Sequence, residues 1–302
     1  GGVLGFTKGI AEEFGFSRIW NTPITEEMIV GALAGYSLHG GAYPWGEFQF
    51  APFYLEAHRM LSIIAPMWYQ KKLMFPFLLM FPCGVVRLGG SGEYHEGWPE
   101  RELDALETLA IVCPSNAYEL VGLVRYAREF HKGPVMLLLQ TAAANLPEYA
   151  SKVPLQPYVI PFGEANIVRA GNDITVVCYG AACVHAAKNE ADMMEKENGI
   201  SIEVIDVRTL NPLDTETIRV SYKKTGRIIA FHEASRKKGI GREILFDSVC
   251  DKNDIASLEY CLSKNMRVVH AGMEGDIFVP SAGPLVWARL PYYKNGACAC
   301  RW

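Results

Sequence analysis

A short acidic motif near the start of the chain, NTPITEE at residues 21–27, has the residue types and spacing of a helix start. Thr22 is placed as the N-cap and Pro23 as the first helical residue, where its missing amide hydrogen costs nothing. Glu26 and Glu27 then fall in the first turns. Acids there stabilise the helix dipole, and a carboxylate held there can also act on a bound cofactor. The motif alone leaves both interpretations open.

The N-terminal half must provide the elements that position these carboxylates. The small residues Gly31, Ala32, Ala34 and Gly35 are expected to let the first long helix approach a neighbouring backbone closely. Apolar runs and helical patterns predict the following elements. Strands are expected at 47–50, 78–86 and 135–139, and helices at 26–38, 52–67 and 117–130.

The C-terminal half predicts a regular alternation of strands and helices. Strands are expected at 173–180, 201–208, 226–232 and 266–270, and helices at 181–198, 214–224 and 240–251. Such an alternation implies a parallel sheet with right-handed crossovers. Four closely set prolines, at 147, 154, 157 and 161, exclude a continuous helix or central strand. We therefore predict two domains, 1–144 and 165–302, joined by a linker at 145–164.

Composition excludes several classes of function. The chain has 302 residues, a formal net charge of −4 and no strongly basic stretch that would indicate nucleic-acid binding. Eight scattered cysteines without a Cys-x-x-Cys pair indicate a reducing compartment and no zinc site. The longest apolar run, 73–86, is too short to span a membrane and contains two prolines. The chain begins without Met or a basic, apolar leader, so we expect a processed or truncated start.

Further motifs follow the acidic one in a fixed order. They are EFQFAPF at 47–53, Gly89-Gly90, Tyr94-His95, Cys113-Pro114, VIDVRTLNPLD at 204–214, KTGR at 224–227 and HEA at 232–234. In types and order they resemble the beta subunits of the thiamine-diphosphate-dependent 2-oxoacid dehydrogenases. Residues 153–161 and 47–51 are most similar to the branched-chain (2-oxoisovalerate) enzymes, and the pyruvate enzymes are the next most similar.

The resemblance implies an α/β fold of two domains, each a mainly parallel sheet flanked by helices. The first is of the thiamine-diphosphate pyrimidine-binding type and the second resembles the C-terminal domain of transketolase. Glu26 is implied to hydrogen-bond the cofactor's aminopyrimidine and so promote loss of the thiazolium C2 proton. Phe53 is implied to stack on that ring and Gln49 to contact the cofactor. His95 is implied to transfer protons and to guide the acyl group to a lipoyl arm, because free histidine titrates near neutral pH.

The resemblance also implies partners. No Gly-Asp-Gly motif for the cofactor's diphosphate and magnesium occurs in the chain. An alpha subunit is therefore expected to supply that half of the site in a heterotetramer of two alpha and two beta subunits. That assembly would serve the lipoyl domain and core acyltransferase of a multienzyme complex. The mitochondrial matrix is the expected location, with a bacterial cytoplasm as the alternative, and no membrane or nucleic-acid partner is expected.

The chain departs from the family pattern at several positions. EGWPE at 96–100 replaces the usual SQSPE after Tyr-His, Gln140 stands where glutamate is common, and Arg59 stands where an acid is common. No carboxylate lies at 131–134, where relatives hold a potassium ion, so no metal ligand is assigned. His232 and Glu233 are expected to have structural or interface roles. A non-catalytic assembly subunit with a decayed site is therefore an alternative to an active enzyme subunit.

Overall fold

The computed structural model describes residues 5–40, 42–84, 95, 97–141, 147–235 and 237–249, and the backbone of 267–273. Its helices are α1 (Ile10–Phe14), α2 (Glu26–Ser37), α3 (Tyr54–Lys71), α4 (Glu100–Asp104), α5 (Ala117–Glu129), α6 (Ala181–Asn198), α7 (Thr215–Thr225) and α8 (Gly241–Val249). Its strands are β1 (Trp45–Glu47), β2 (Phe77–Cys83), β3 (Ala110–Val112), β4 (Pro134–Gln140), β5 (Asn166–Arg169), β6 (Ile174–Cys178), β7 (Ile202–Asp206), β8 (Thr209–Asn211), β9 (Arg227–Ser235) and β10 (Arg267–Met273). Within this part of the chain, no helix is both long and apolar enough to cross a membrane.

Two five-stranded sheets form the molecule, and both are mainly parallel. The first has the order β1-β2-β4-β3-β8 and the second the order β10-β9-β6-β7-β5. Strands β2 and β4 are buried along their whole length, as apolar runs in the middle of a parallel sheet should be. In each sheet one edge strand is antiparallel, β8 in the first and β5 in the second. The predicted α/β fold with two mainly parallel sheets is confirmed.

The second half of the chain completes the first sheet. Strand β8 pairs with β3, although about a hundred residues of sequence separate them. Arg208, just before β8, forms an ion pair with the buried Glu119 of α5 at 2.8 Å. The sequence predicted one strand over 201–208 and a turn from 211, whereas the structure has β7 and then β8. Strand β8 could not be predicted from the sequence, because a strand of three residues shows no periodic pattern.

Several element boundaries differ from the predictions, and three of these differences concern the segments around the predicted site. Helix α2 begins at Glu26 with Thr25 as its N-cap, so the assignment of Thr22 as N-cap is wrong. The extended backbone of Thr25 (φ −153°, ψ 92°) separates Pro23 from the helix. Strand β1 ends at Glu47, three residues early, because a bend and a short 3-10 turn follow it. Helix α3 continues through Pro66 to Lys71.

The cysteines that the structure describes behave as small apolar residues. Cys83, Cys113, Cys178 and Cys183 are buried free thiols, and burial raises the pKa of each. Their placement agrees with the expected reducing compartment. The other four cysteines, at 250, 261, 298 and 300, lie outside the described residues.

Candidate functional site

Glu26 lies at the carboxyl edge of the first sheet. Helix α2 packs over β1, where a Cβ built on Gly46 would lie 2.7 Å from Leu33 and 3.3 Å from Ile29. The close approach therefore depends on a glycine of the strand. The helix glycines contribute little, since a Cβ on Gly31 would meet only Met60, at 3.7 Å. Because α2 leads directly into a parallel strand, its first residue faces the edge at which β1 ends.

The side chain of Glu26 is buried although its surroundings are open. It is 7% exposed, whereas residues 21–25 and Glu27 are all exposed. Among the hydrogen bonds of the described residues, none involves the Glu26 carboxylate. The Glu26 oxygens are not among the described buried polar atoms that lack a partner, so the carboxylate stays accessible from solvent although the rest of the residue is enclosed. Such a group is accessible to a ligand at the sheet edge.

Three aromatic rings meet where β1 ends. The ring centroid of His95 lies 4.7 Å from that of Phe50 and 5.5 Å from that of Phe53, both edge to face. Phe50 and Phe53 are themselves 5.9 Å apart. Phe50 is buried, while Phe53 and His95 are half-buried and present part of their rings outward. The structure therefore brings together Phe53 and His95, two of the four predicted site residues.

The remaining two predicted residues, Glu26 and Gln49, are not hydrogen-bonded to this aromatic cluster in the described part of the chain. Gln49 is exposed in the bend after β1. Within the described part of the chain, no hydrogen bond connects Glu26 or Gln49 to Phe53 or His95. Tyr94, Glu96 and Gly89-Gly90, which belong to the same motifs, lie outside the described residues.

The backbone after His95 is attached to the end of β2. The amide of Gly84 donates to the carbonyl of Gly97 at 3.1 Å, and the two residues form an isolated antiparallel bridge. Gly84 has φ 101°, and a Cβ there would lie 3.0 Å from Gln140 and 3.0 Å from Glu233. Both its backbone angle and its surroundings therefore require glycine.

Sequence analysis missed a buried polar network where the carboxyl ends of the two sheets meet. We call it the junction network, and it consists of Trp98, Gln140 and Glu233. Trp98 Nε1 donates to Glu233 Oε2 at 2.9 Å, and Gln140 Nε2 donates to the same oxygen at 2.5 Å. The amide of Ala182 donates to Gln140 Oε1 at 2.7 Å. Two departures from the family pattern, Trp98 and Gln140, thus converge on one carboxylate.

The junction network has a neutral carboxyl group beside it. Glu100 is fully buried and accepts a hydrogen bond from the hydroxyl of Tyr179 at 2.9 Å. Burial raises the pKa of Glu100 to about 8, so it carries a proton at neutral pH. His232 stacks on Tyr179 and is also buried, inside β9 and not at its end. The expectation that His232 and Glu233 have structural roles agrees with these contacts.

The residues at the edge fit one half of thiamine diphosphate. A carboxylate without a described partner and half-buried aromatic rings at the same sheet edge suit a flat ring with polar nitrogens. Within the described ranges, no group of three His, Cys, Asp or Glu could hold a metal ion. A groove of about 410 Å³ between α4, β8, α7 and α8 contains none of the predicted site residues.

Comparison with known proteins agrees with the domain types. Residues 1–145 match the family described as "Transketolase, pyrimidine binding domain", and residues 163–247 match "Transketolase, C-terminal domain". The chain is 36% identical to the 2-oxoisovalerate dehydrogenase subunit beta of Pseudomonas aeruginosa, over 81% of this chain and 72% of that protein. It is 34% identical to the pyruvate dehydrogenase subunit beta of Bacillus subtilis, over 98% of this chain and 86% of that protein.

A solved structure has the same fold. The protein described as "Split gene transketolase, inactive beta4 tetramer" superposes with a TM-score of 0.71 at 21% identity, covering 95% of this chain and 83% of that one. This likeness concerns the arrangement of helices and strands alone.

Proposed function

Because this chain belongs to the family of beta subunits of the thiamine-diphosphate-dependent 2-oxoacid dehydrogenases, we propose that it forms the cofactor-ring half of an active enzyme. The observation that supports this most directly is Glu26, which is buried as a residue and whose accessible carboxylate has no described hydrogen-bond partner. When bound, thiamine diphosphate supplies a carbon nucleophile and an electron sink for decarboxylation. The chain's own contribution is to hold the ring and to move protons.

Glu26 would hydrogen-bond a ring nitrogen of the aminopyrimidine. The residue as a whole is only 7% exposed, so the contact would form in a largely enclosed place. Low local dielectric strengthens such a hydrogen bond and favours a shared proton. Glu27, one residue later, is exposed and serves as a natural control.

Phe53 and His95 would have different roles in the same site, Phe53 in ring stacking and His95 in proton transfer. The half-buried ring of Phe53 offers a flat apolar surface for the aminopyrimidine. His95 is held edge-on by Phe50 and Phe53, and its Nδ1 is buried without a hydrogen-bond partner among the described residues. A histidine so placed can exchange a proton with an acyl group on its way to a lipoyl arm. Gln49 is proposed as a further cofactor contact.

An alpha subunit is proposed to cover this edge and to supply the diphosphate and magnesium ligands. Ile24 is 79% exposed and Met28 is 45% exposed, and the two lie on either side of Glu26 in sequence. Leu55 at the start of α3 is also largely exposed. Large apolar side chains around a reactive carboxylate are typical of an edge covered by a partner. The proposed assembly contains two alpha and two beta subunits.

Branched-chain 2-oxoacids are the proposed substrates, and the acyl product is proposed to pass to a lipoyl carrier. Residues 47–51 and 153–161 support this choice, and pyruvate is the alternative because both kinds of relative are about a third identical to the chain. The mitochondrial matrix, with a bacterial cytoplasm as the alternative, stays a prediction. The Pseudomonas and Bacillus relatives are bacterial proteins.

Co-expression with an alpha subunit tests the proposal. The purified complex is assayed for decarboxylation of 2-oxoisovalerate and of pyruvate, with wild type, Glu26→Gln and Glu27→Gln. We expect Glu26→Gln to lower kcat by about 100-fold or more, as for loss of an acid-base group, and Glu27→Gln to change it little. An unchanged rate in Glu26→Gln would refute the role of Glu26. A folded complex inactive on both substrates would favour the non-catalytic assembly subunit.

A further inference from the structure

We propose that Trp98 is a positioning residue for His95, so that the second sheet sets the place of His95 through the hydrogen bond between Trp98 and Glu233. The inference rests on the proposed role of His95 and adds a residue on which that role depends. It concerns Trp98, which stands in the segment where this chain departs from the family pattern.

Two successive residues anchor the segment that carries His95. The carbonyl of Gly97 accepts from the amide of Gly84 at 3.1 Å, which attaches the segment to the end of β2. The next residue, Trp98, donates from Nε1 to Glu233 on β9, 135 residues later in the chain, at 2.9 Å. His95 lies only two residues before the first anchor. A span of two residues reaches about 7 Å at most, so moving the anchors moves the imidazole.

The indole of Trp98 is tightly enclosed by the second sheet. Its side chain is 6% exposed, and its ring lies 5.7 Å from that of Tyr179, edge to face. A Cβ on Gly180 would lie 3.0 Å from the indole, and Gly180 has φ 80°. Tyr179 and Gly180 directly follow β6. The indole therefore has one place in which it fits, and that place is defined by the second sheet.

Gln140 holds the acceptor of this hydrogen bond in place. Its carbonyl oxygen accepts from the amide of Ala182 at 2.7 Å, which turns its NH2 group toward Glu233. Glu233 is 1% exposed and receives N–H groups from Gln140 and Trp98 on the same oxygen. Two donors that share one buried oxygen restrict the positions of both donor side chains. The position of Trp98 is thus fixed through a chain of contacts that begins at α6.

A core tryptophan without this role would also be buried, so the experiment must separate positioning from stability. The variant Trp98→Phe keeps one aromatic ring but removes the N–H donor together with part of the buried indole, so a second Trp→Phe variant with the same loss of volume is needed as a control. Trp68→Phe is the matched control. The ring centroid of Trp68 lies 5.9 Å from that of His131, and Trp68 does not belong to the aromatic cluster of Phe50, Phe53 and His95. Both are made in the full complex with the alpha subunit.

Two activities and one structural measurement are compared. We expect Trp98→Phe to lower acyl transfer to a lipoyl domain by about 10-fold, as for loss of one hydrogen bond to a charged group, while decarboxylation coupled to an artificial electron acceptor falls less than about 2-fold. Hydrogen–deuterium exchange of the peptide containing His95 should accelerate by about the same 10-fold. Trp68→Phe should change neither. Equal loss of both activities, or unchanged exchange, would overturn the proposal.

Two further variants keep the result decisive. If Trp98→Phe does not assemble, Glu233→Gln retains an acceptor of the same size and should give the same pattern with a smaller effect. In a His95→Asn background, Trp98→Phe should cause no additional loss of acyl transfer; a further 10-fold loss would show that Trp98 acts independently of His95.

Hydrogen–deuterium exchange is measured without substrate, so it does not depend on catalytic activity. A complex inactive on every 2-oxoacid would refute the proposed function, while accelerated exchange would still support the positioning.

Discussion

The edge that carries Glu26, Phe53 and His95 differs from the junction network of Trp98, Gln140 and Glu233 in how its polar groups are satisfied. Both regions lie at the carboxyl ends of parallel strands. In the described structure Glu26 has no hydrogen-bonded partner, whereas Glu233 receives two N–H groups.

The difference matches the proposed division between an edge that binds a ligand and a junction that supports the fold. A carboxylate without partners from its own chain can accept a hydrogen bond from a ligand. Satisfied buried networks fix one arrangement of the surrounding segments. Residue type alone does not distinguish the two, since both regions contain a glutamate and aromatic residues.

The largest expected effect is at the junction network. Replacing Gln140 by Glu would turn its donor into a second carboxylate 2.5 Å from Glu233. We expect a loss of about 3 kcal/mol in the free energy of unfolding, as for an uncompensated buried charge. Urea denaturation measures it. The double variant Gln140→Glu/Glu233→Gln restores a donor and acceptor pair and should recover most of the loss; absence of any recovery would contradict the described contact.

The next effect is a pH dependence caused by Glu100. Its pKa is raised by burial to about 8 in the folded protein, whereas an unfolded glutamate titrates near its ordinary value of 4.5. Between these values the folded state holds a proton that the unfolded state has lost. Stability should therefore fall as pH rises through this window, by up to about 1.4 kcal/mol per pH unit from this group.

The variant Glu100→Gln isolates that dependence. It keeps an acceptor for Tyr179 and has no titrating group, so its stability relative to wild type should increase between pH 5.5 and pH 7.5. Asp206, whose pKa is also raised by burial, is present in both proteins and cancels in the difference. A constant difference across this pH range would show that Glu100 is ionised in the folded protein.

A smaller effect is expected from Phe53. Phe53→Leu keeps an apolar side chain and removes the flat ring, so binding of thiamine diphosphate should weaken by about 1 kcal/mol. The apparent dissociation constant in the assembled complex, measured by cofactor titration, should rise about five-fold. Leu55→Ala, also at the start of α3, should leave cofactor affinity unchanged if assembly is intact. If Phe53→Leu and Leu55→Ala weakened cofactor binding equally, Phe53 would be a packing residue without a specific contact to the cofactor.

The smallest expected effect concerns the stability of Glu26→Gln. Since the carboxylate has no described partner to lose, the free energy of unfolding of the isolated chain should stay within about 0.5 kcal/mol of wild type. Glu233→Gln, the matched change at the junction network, should cost clearly more. Equal costs in thermal or urea denaturation would remove the distinction between the two regions.

Much of the fold was predictable because long elements carry periodic patterns. Helix α6 has the predicted bounds, and α5 and β4 lie within one residue of theirs. Short elements were missed, among them β3 and β8, because three residues define no period. The division at 1–144 and 165–302 stays a prediction.

The sequence by itself determined the family of this chain, and it predicted a common role for Glu26, Phe53 and His95 because their motifs occur in the family's order. Only the tertiary structure decided which of them meet, since Phe53 and His95 are joined by ring packing across 42 residues of sequence. It alone also brought Trp98, Gln140 and Glu233 onto one oxygen atom. Local patterns encode helices and strands, whereas contacts between distant residues depend on how the two sheets pack.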